Sequence, residues 1–304
     1  MLTAERRPLV PNGYAHGRMT SQVEKAEAFR ALHHRRRALV LPNAWDVPSA
    51  RVFEDAGFPA IATSSAGLMV SLGYRDGEEM PRQELVGAVG RIASRVSVPL
   101  SADVVAGYGS TPRAVTATVR RVLGVGAVGI NLEDRDPAGD RLLPEAMQVR
   151  KLKAIRQLGD SERVPLVINA RTDALRYASG DDGERLREAI RRSIAYRDAG
   201  ADCVYPMGLS DSESISRFVE ALHCPVNVMV RKGLPPVAQL EELGVKRVSF
   251  GPSASYAALG LLKRASAEVL THGTYTTLLD GAISFDELNR LAVPRSGRRA
   301  RSDS

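Results

Sequence analysis

This sequence has few cysteines and lacks the glycine-rich motifs that bind nucleotides. The 304 residues include two cysteines, Cys203 and Cys224, and neither has the spacing of a metal-ligating or redox motif. We therefore expect two small buried thiols in a reducing compartment. No Gly-x-Gly-x-x-Gly opens a helical pattern and no P-loop occurs, so the sequence does not support a nucleotide cofactor.

Long apolar segments are also missing. No apolar run approaches the roughly 18 residues that are typical of a membrane-spanning helix. Residues 1–18 lack the apolar centre of a signal peptide. We therefore expect a soluble, cytoplasmic protein with no membrane partner.

Positive charge is in excess, with a formal net charge of +7. Most of it lies at the ends of the chain, since residues 1–18 carry a net +2 and residues 295–304 a net +3. Pro, Gly and Ser also gather there, as is typical of disordered termini. We predict a disordered extension over 1–18, one domain over 19–292 and a disordered basic tail over 293–304. Translation starting at Met19 is an alternative, and no nucleic acid partner is expected.

Apolar runs and helical patterns alternate along the rest of the chain, after a predicted helix at 21–34 with Thr20 or Ser21 as its N-cap. The predicted strands are 38–42, 60–63, 98–103, 128–132, 165–170, 203–205, 226–229 and 248–250. The predicted helices between them are 47–56, 82–94, 111–123, 145–158, 182–199, 212–222 and 237–243. Eight such units predict an α/β protein with a closed (β/α)₈ TIM-type barrel.

Further helical segments follow the eighth strand, at 256–270 and 284–291. A plain barrel does not need them, and apolar helices outside a barrel commonly pack on a partner subunit. We therefore expect a homo-oligomer, a dimer or a tetramer.

Active sites of such barrels lie at the carboxyl ends of the strands. Polar residues at those positions are Asn43, Trp45, Asp46, Thr63, Ser64, Ser65, Asp103, Glu133, Asp134, Asn169, Arg171, Asp173, Tyr205, Asn227 and Arg231. Asp76 lies in the long loop after the second strand. These residues are the candidates for chemistry.

Several short motifs occur in a fixed order between about residues 42 and 251. They are Pro-Asn-Ala-Trp-Asp at 42–46, Thr-Ser-Ser-Ala-Gly at 63–67, Leu-Gly-Tyr-Arg-Asp at 72–76, Ala-Asp at 102–103 with Gly-Tyr-Gly at 107–109, Asn-Leu-Glu-Asp at 131–134, Asn-Ala-Arg-Thr-Asp at 169–173 and Ala-Gly-Ala-Asp at 199–202. Together they resemble the isocitrate lyase/phosphoenolpyruvate mutase superfamily. The resemblance implies a (β/α)₈ barrel, often with a C-terminal helix swapped between subunits, and a Mg²⁺-dependent site for small 2-oxo acids or related carboxylates.

The resemblance also implies roles for particular residues. Mg²⁺, or Mn²⁺, would be held by Asp103, with Asp76 and Glu133 acting through water; these three and Arg171 form the predicted catalytic set. Taken by itself, Asp76 could equally well be an acidic residue of a turn with no role in metal binding. The predicted substrate-binding residues are Trp45, Asp46, Thr63, Ser64, Ser65, Ala66, Arg171 and Asn227.

Two of these assignments have structural alternatives. Backbone N–H groups at 64–66 would hold a carboxylate, and Arg171 would clamp a second anionic oxygen. Arg171 could instead pair with a neighbouring acid such as Asp173. Trp45 could wall the pocket or belong to the core.

Three departures from the superfamily narrow the function. The loop at 134–144 has neither the catalytic cysteine of the isocitrate and methylisocitrate lyases nor the Lys and Asn of the mutases. Val105 stands where active relatives have Asp or Glu, a loss that would cost about 10–100-fold in metal affinity or activity. The loop at 135–143 has the composition of a mobile lid.

These features lead to one primary hypothesis and two alternatives. The primary one is a Mg²⁺-dependent carbon–carbon lyase or decarboxylase that acts on a small 2-oxo or hydroxy dicarboxylate similar to oxaloacetate, through a metal-stabilised enolate. A carbon–carbon or phosphorus–carbon hydrolase is the second reading. A catalytically degenerate barrel that binds a metabolite is the third.

Overall fold

The computed structural model describes residues 21–293, and these residues form a barrel of parallel strands surrounded by helices. The strands are β1 (Leu39–Leu41), β2 (Asn43–Ala44), β3 (Ile61–Thr63), β4 (Leu100–Asp103), β5 (Gly129–Glu133), β6 (Val167–Thr172), β7 (Cys203–Pro206), β8 (Asn227–Met229) and β9 (Arg247–Ser249). All eight predicted strands are present, and the predicted (β/α)₈ fold is confirmed. The predicted segment 1–18, the start at Met19 and all of the tail except Val293 lie outside the described residues.

Helices follow most of the strands. They are α1 (Gln22–Leu32), α2 (Val47–Asp55), α3 (Ser65–Ser71), α4 (Arg82–Ala93), α5 (Pro112–Gly124), α6 (Glu145–Ser161), α7 (Ala174–Tyr177), α8 (Asp182–Asp198), α9 (Ser212–Leu222), α10 (Val237–Glu242), α11 (Ser253–His272), α12 (Thr276–Leu279) and α13 (Phe285–Ala292). Ser21 is the N-cap of α1, within a capping box. The sequence pattern missed α3, α7 and α12, because each is too short to show a helical period.

The first barrel strand is split in two by Pro42, which has no N–H to donate to a strand ladder. Before the proline, β1 pairs in parallel with β9; after it, β2 pairs with β3. Asn43 joins both neighbours, because its amide donates to the Thr63 carbonyl and its Oδ1 accepts from the N–H groups of Phe250 and Gly251. The first strand therefore links the last strand to the second.

The remaining strands complete the circle. Strands β2 to β7 form one six-stranded parallel sheet in chain order, and β1, β9 and β8 form another. A parallel bridge between Val204 and Val226 joins the two sheets. All carboxyl ends of the strands thus face one end of the barrel.

Helix α1 closes the opposite end, which we call the barrel floor. Phe29 is fully buried, and a Cβ added to Gly129 of β5 would lie only 2.6 Å from its ring. Glycine at this position is what lets the aromatic ring enter. His33, on the next turn, is also buried.

The last three helices extend the barrel. Only Ser255 and Ala265 of α11 are buried, and Leu259 and Leu262 are 50% and 55% exposed. Helix α13 returns to α2, where the Arg51 guanidinium donates to the carbonyl groups of Leu291 and Val293. Within residues 21–293, no helix combines the length and apolarity needed to cross a membrane.

Candidate active site

A polar cavity of about 230 Å³ lies at the carboxyl ends of the strands and extends down into the barrel. This is the end at which enzymes of this fold place their active sites. Pockets for drug-sized ligands have volumes of about 300–1,000 Å³. This cavity is smaller, so it fits a smaller molecule. The charged residues that line it are Asp76, Asp103, Asp173, Arg135, Arg171, Arg176 and Arg247.

Asp103 ends β4, and its carboxylate is oriented by the first residue of α3 and by the neighbouring strand β5. Its Oδ2 accepts a hydrogen bond from the Ser65 backbone N–H at 3.2 Å, and its Oδ1 accepts one from the Asn131 side-chain amide at 3.1 Å. Its own backbone N–H donates to Thr63 Oγ1 at 2.9 Å. The structure therefore presents Asp103 to the cavity in one fixed orientation.

Val105 supports this arrangement with its backbone. Its φ of 55° is in the left-handed region, which costs a β-branched residue about 1–2 kcal/mol. Its N–H lies 3.3 Å from Asp103 Oδ1, and its carbonyl oxygen accepts the Glu133 N–H at 2.9 Å. The valine side chain belongs to the apolar core. Val105 thus connects the ends of β4 and β5 but adds no carboxylate to the cavity.

Arg171 pairs with two carboxylates. Its Nε and Nη2 form a two-pronged contact with Asp173 at 2.8 and 2.7 Å, and its Nη1 lies 2.8 Å from Glu133 Oε2. Sequence reasoning left pairing with Asp173 open, and the structure shows this pairing together with the contact to Glu133. The guanidinium has five N–H groups, and these three contacts leave two of them unused.

Glu133 lies behind Arg171 and is 5% exposed. Burial raises the pKa of Glu133, the positive charge of Arg171 acts against this, and the nearby carboxylates of Asp173, Asp103 and Asp76 raise it further. The site therefore concentrates four carboxyl groups around one arginine. Arg135, Arg176 and Arg247 also line the cavity, so the carboxyl groups and the arginines of the site are equal in number.

Asp134 holds the end of β6 in place. Its carboxylate is fully buried and accepts hydrogen bonds from Tyr196, Thr172, Arg192 and the backbone N–H of Asp173 at 2.7, 2.8, 3.1 and 2.9 Å. Every donor comes from β6 or α8 or directly follows them. This network fixes the position of Asp173, and through it that of Arg171.

Asp76 lies at the exposed rim of the cavity. Desolvation raises its pKa, the charge of Asp103 raises it further, and Arg171 and Ser65 act against this. Asp76 and Asp103 line the same cavity, so a cation bound there could contact both carboxylates.

The donor set fits a hydrated Mg²⁺. This ion prefers oxygen ligands, keeps several waters and binds through one or two carboxylates. Among residues 21–293, no group of three or more His, Cys, Asp or Glu side chains is arranged to hold a metal ion, so water would have to supply most of the ligands. Asp103 and Asp76 are the residues that could hold the ion, and the contribution of Glu133 through water stays a prediction.

The predicted backbone cradle at 64–66 is partly engaged within the protein. The Ser64 N–H donates to the Ala44 carbonyl at 3.0 Å, and the Ser65 N–H donates to Asp103. Ser64 Oγ caps α3 through the Gly67 N–H at 3.2 Å. Thr63, Ser64, Ser65, Ala66 and Asn227 all line the cavity.

Trp45 and Asp46 lie elsewhere. Both line a more apolar cavity of about 790 Å³ between α2, α4 and α13. Asp46 caps α2 by accepting the Ser49 N–H at 2.7 Å. The structure does not bring these two side chains to the polar cavity, and their predicted substrate contacts stay a prediction.

Arg247 is one of three arginines of the cavity that sequence reasoning missed, together with Arg135 and Arg176. It begins β9, so a search restricted to carboxyl ends of strands passes over it. A signal was available: Arg247 and Ser249 are alternate residues of one buried strand, and alternate residues share a face. Two polar residues on that face predict a polar barrel interior.

Comparisons with known proteins agree with this geometry. The sequence profile of the family described as phosphoenolpyruvate phosphomutase matches residues 29–270. An uncharacterised protein of Mycobacterium tuberculosis is 36% identical over 241 residues, which cover 79% of this chain and 87% of that protein. The 2-methylisocitrate lyase of Bacillus subtilis is 29% identical, over 84% of this chain and 85% of the lyase.

A solved structure shows the same likeness in three dimensions. Oxaloacetate acetylhydrolase in complex with the product oxalate matches with a TM-score of 0.78 and 26% identity, over 88% of this chain and 93% of that chain. The family match covers most of the barrel, and the expected resemblance is confirmed. The chain belongs to the phosphoenolpyruvate phosphomutase family, within the isocitrate lyase/phosphoenolpyruvate mutase superfamily of enzymes.

Proposed function

We propose that the protein is a Mg²⁺-dependent carbon–carbon lyase or decarboxylase that acts on a small 2-oxo or hydroxy dicarboxylate such as oxaloacetate. Mn²⁺ is the alternative ion. The observation that carries the proposal is the pair of carboxylates, Asp76 and Asp103, that faces the same small cavity as Arg171. The relatives named for 2-methylisocitrate and oxaloacetate support a carboxylate substrate.

The reaction requires a place for negative charge. When a 2-oxo dicarboxylate loses its distal carboxylate, the electron pair of the broken carbon–carbon bond moves into the 2-oxo group, CO₂ leaves and the carbon takes up a proton. The chemistry that Mg²⁺ supplies when bound is stabilisation of the enolate charge.

The protein groups orient the reactants. Asp103 is fixed by Ser65 and Asn131, which removes the need to reorganise it during the reaction. The two remaining N–H groups of Arg171 are suited to a substrate carboxylate. The small volume of the cavity limits the water that reaches the enolate.

Hydrolysis is the second candidate reaction. The likeness to oxaloacetate acetylhydrolase and the lack of cysteine in the loop at 135–143 favour it over the chemistry of the cysteine-dependent lyases. The products separate the two candidates, because decarboxylation of oxaloacetate gives pyruvate and CO₂, whereas hydrolysis gives acetate and oxalate.

Replacing Asp103 with Asn tests the role of the carboxylate. The change keeps the shape of the side chain and removes its charge, and we expect turnover of oxaloacetate to fall by at least about 100-fold. Asp160→Asn, at an exposed position on α6, is the matched control and should leave turnover unchanged. Equal turnover by Asp103→Asn and the wild type would refute the assignment.

We also propose that the protein forms a homo-oligomer, a dimer or a tetramer, through α11. This helix exposes Leu259, Leu262 and Leu270, an apolar surface of the kind that marks a subunit interface. Light scattering should give the mass of two or four chains, and Leu259→Asp with Leu262→Asp should reduce it. A monomeric wild type would contradict this.

A further inference from the structure

Arg247 carries a positive charge at the bottom of the cavity, where the charge of Asp103 acts on it only from beyond ion-pair distance. It is 2% exposed and lines the cavity. Among residues 21–293, no carboxylate forms an ion pair with it, and its Nε has no hydrogen-bond partner. Buried charges are normally paired, because removing an ion from water is costly.

The contacts around Arg247 do not neutralise it. Its guanidinium carbon lies 6.0 Å from the centre of the Phe29 ring, and its Nη1 lies 3.5 Å from His33 Nε2. His33 Nδ1 lies 2.8 Å from the Phe29 carbonyl oxygen, so Nδ1 must donate; Nε2 faces a guanidinium N–H, which can only donate, so Nε2 must accept. His33 is therefore a neutral neighbour that offers one long contact.

The walls above Arg247 are polar and incompletely satisfied. Asn169 donates to Asn131 at 2.8 Å and Asn227 donates to Ser249 at 3.2 Å. The Oδ1 atoms of Asn169 and Asn227 are buried without a hydrogen-bond partner among the described residues. Such groups are suited to a ligand that carries a hydroxyl group or bound water beside its anionic end.

One continuous cavity joins this lower region to the carboxylates at the mouth. The bottom carries the guanidinium of Arg247, whereas the mouth carries Asp76 and Asp103 together with three arginines, so the two ends are chemically different. A single small molecule that spans the cavity would meet both.

We propose that Arg247 is a specificity-determining residue that binds one carboxylate of a small dicarboxylate inside the barrel, while the other end of the molecule faces Asp103. This inference rests on the proposed function. It assigns to Arg247 the discrimination between a dicarboxylate and a monocarboxylate. A planar guanidinium suits this task because it can form two parallel hydrogen bonds to a carboxylate.

Calorimetric binding of racemic malate and racemic lactate, both with Mg²⁺, tests the proposal. The two probes share a hydroxy acid end and differ by the second carboxylate. The wild type should bind malate at least about tenfold more tightly than lactate, and Arg247→Met should bind the two about equally. Arg247→Lys keeps the charge without the planar fork, and should retain only part of the preference.

Stability measurements separate this role from a structural one. Arg247→Met removes a buried charge that has no counter-ion, so its melting temperature should equal or exceed that of the wild type. Arg156→Met is the control: Arg156 lies on α6 outside the barrel and pairs with Asp202, and its loss should lower the melting temperature without changing the malate preference. If Arg247→Met does not fold, Arg247→Lys carries the binding test.

Two results would overturn the inference. One is a wild type that binds malate no more tightly than lactate, and the other is an Arg247 variant that keeps the full preference. Failure of the proposed function is a separate result, because it would appear as a lack of turnover of oxaloacetate and related acids, whatever the dependence of binding on Arg247.

Discussion

Replacing His33 with Gln should remove much of the acid sensitivity of this fold. His33 lies in the barrel floor, 1% exposed, and faces Arg247. Burial, followed by the positive charge of Arg247, lowers the pKa of His33 from 6.5 to about 3. The folded protein therefore keeps this imidazole neutral at pH values where the unfolded chain protonates it.

The size of the effect follows from linkage between protonation and folding. Because the folded pKa is depressed, stability is lost as the pH falls from about 6.5 towards about 3. At pH 5, protonation of His33 in the unfolded chain alone lowers the free energy of unfolding by about 2 kcal/mol relative to pH 8. Gln does not titrate and can still donate to the Phe29 carbonyl.

Urea unfolding at pH 8 and pH 5 measures this difference. The wild type should lose about 2 kcal/mol more than His33→Gln between the two pH values, and carboxyl groups common to both proteins cancel. His272→Gln, at an exposed position on α11, should behave as the wild type. Equal losses for wild type and His33→Gln would show that the floor does not hold a neutral histidine.

Two further substitutions test the packing that positions the site. Gly129→Ala forces a Cβ against the Phe29 ring and should lower the free energy of unfolding, measured in urea titrations, by about 1–3 kcal/mol. Gly139→Ala is its control, because a Cβ added there meets nothing within 4 Å. Equal stability of the two variants would contradict the packing of Phe29 against Gly129. Asp134→Asn removes the buried carboxylate that accepts four hydrogen bonds, while Arg192 keeps its ion pair with Glu188 at 2.7 Å. It should lower the free energy of unfolding by about 1–3 kcal/mol by the same measurement, and unchanged stability would contradict the described network.

Much of the fold could be predicted from the sequence, because strands buried on both faces are nearly continuous apolar runs. The eight strands and seven helices between them follow from that pattern, and Asp103 and Arg171 follow from their places at strand ends. The split of the first strand could not be predicted. Pro42 marks a break in the strand but does not indicate which neighbouring strand each half pairs with.

The depth of the site could not be predicted in the same way. Arg247 begins its strand, and whether such a side chain reaches the cavity depends on the stagger of strands around the barrel. The sharing of Arg171 between Asp173 and Glu133 likewise depends on the β5–β6 register, which places Glu133 opposite Arg171. Trp45 and Asp46 follow a strand end, but they line a cavity between α2, α4 and α13. The sequence predicts a helix at 284–291 but does not show where that helix packs.

The most direct test of the central claim is the consumption of oxaloacetate by the purified protein with and without Mg²⁺, followed by mass spectrometry of the products. Two control reactions measure the background of spontaneous decarboxylation: oxaloacetate with Mg²⁺ alone, and oxaloacetate with Mg²⁺ and the Asp103→Asn variant. A Mg²⁺-dependent decarboxylase should form pyruvate above both backgrounds, lose this activity in EDTA and regain it when Mg²⁺ is restored. Turnover that persists unchanged in EDTA, or equal rates for the wild type and Asp103→Asn, would contradict it.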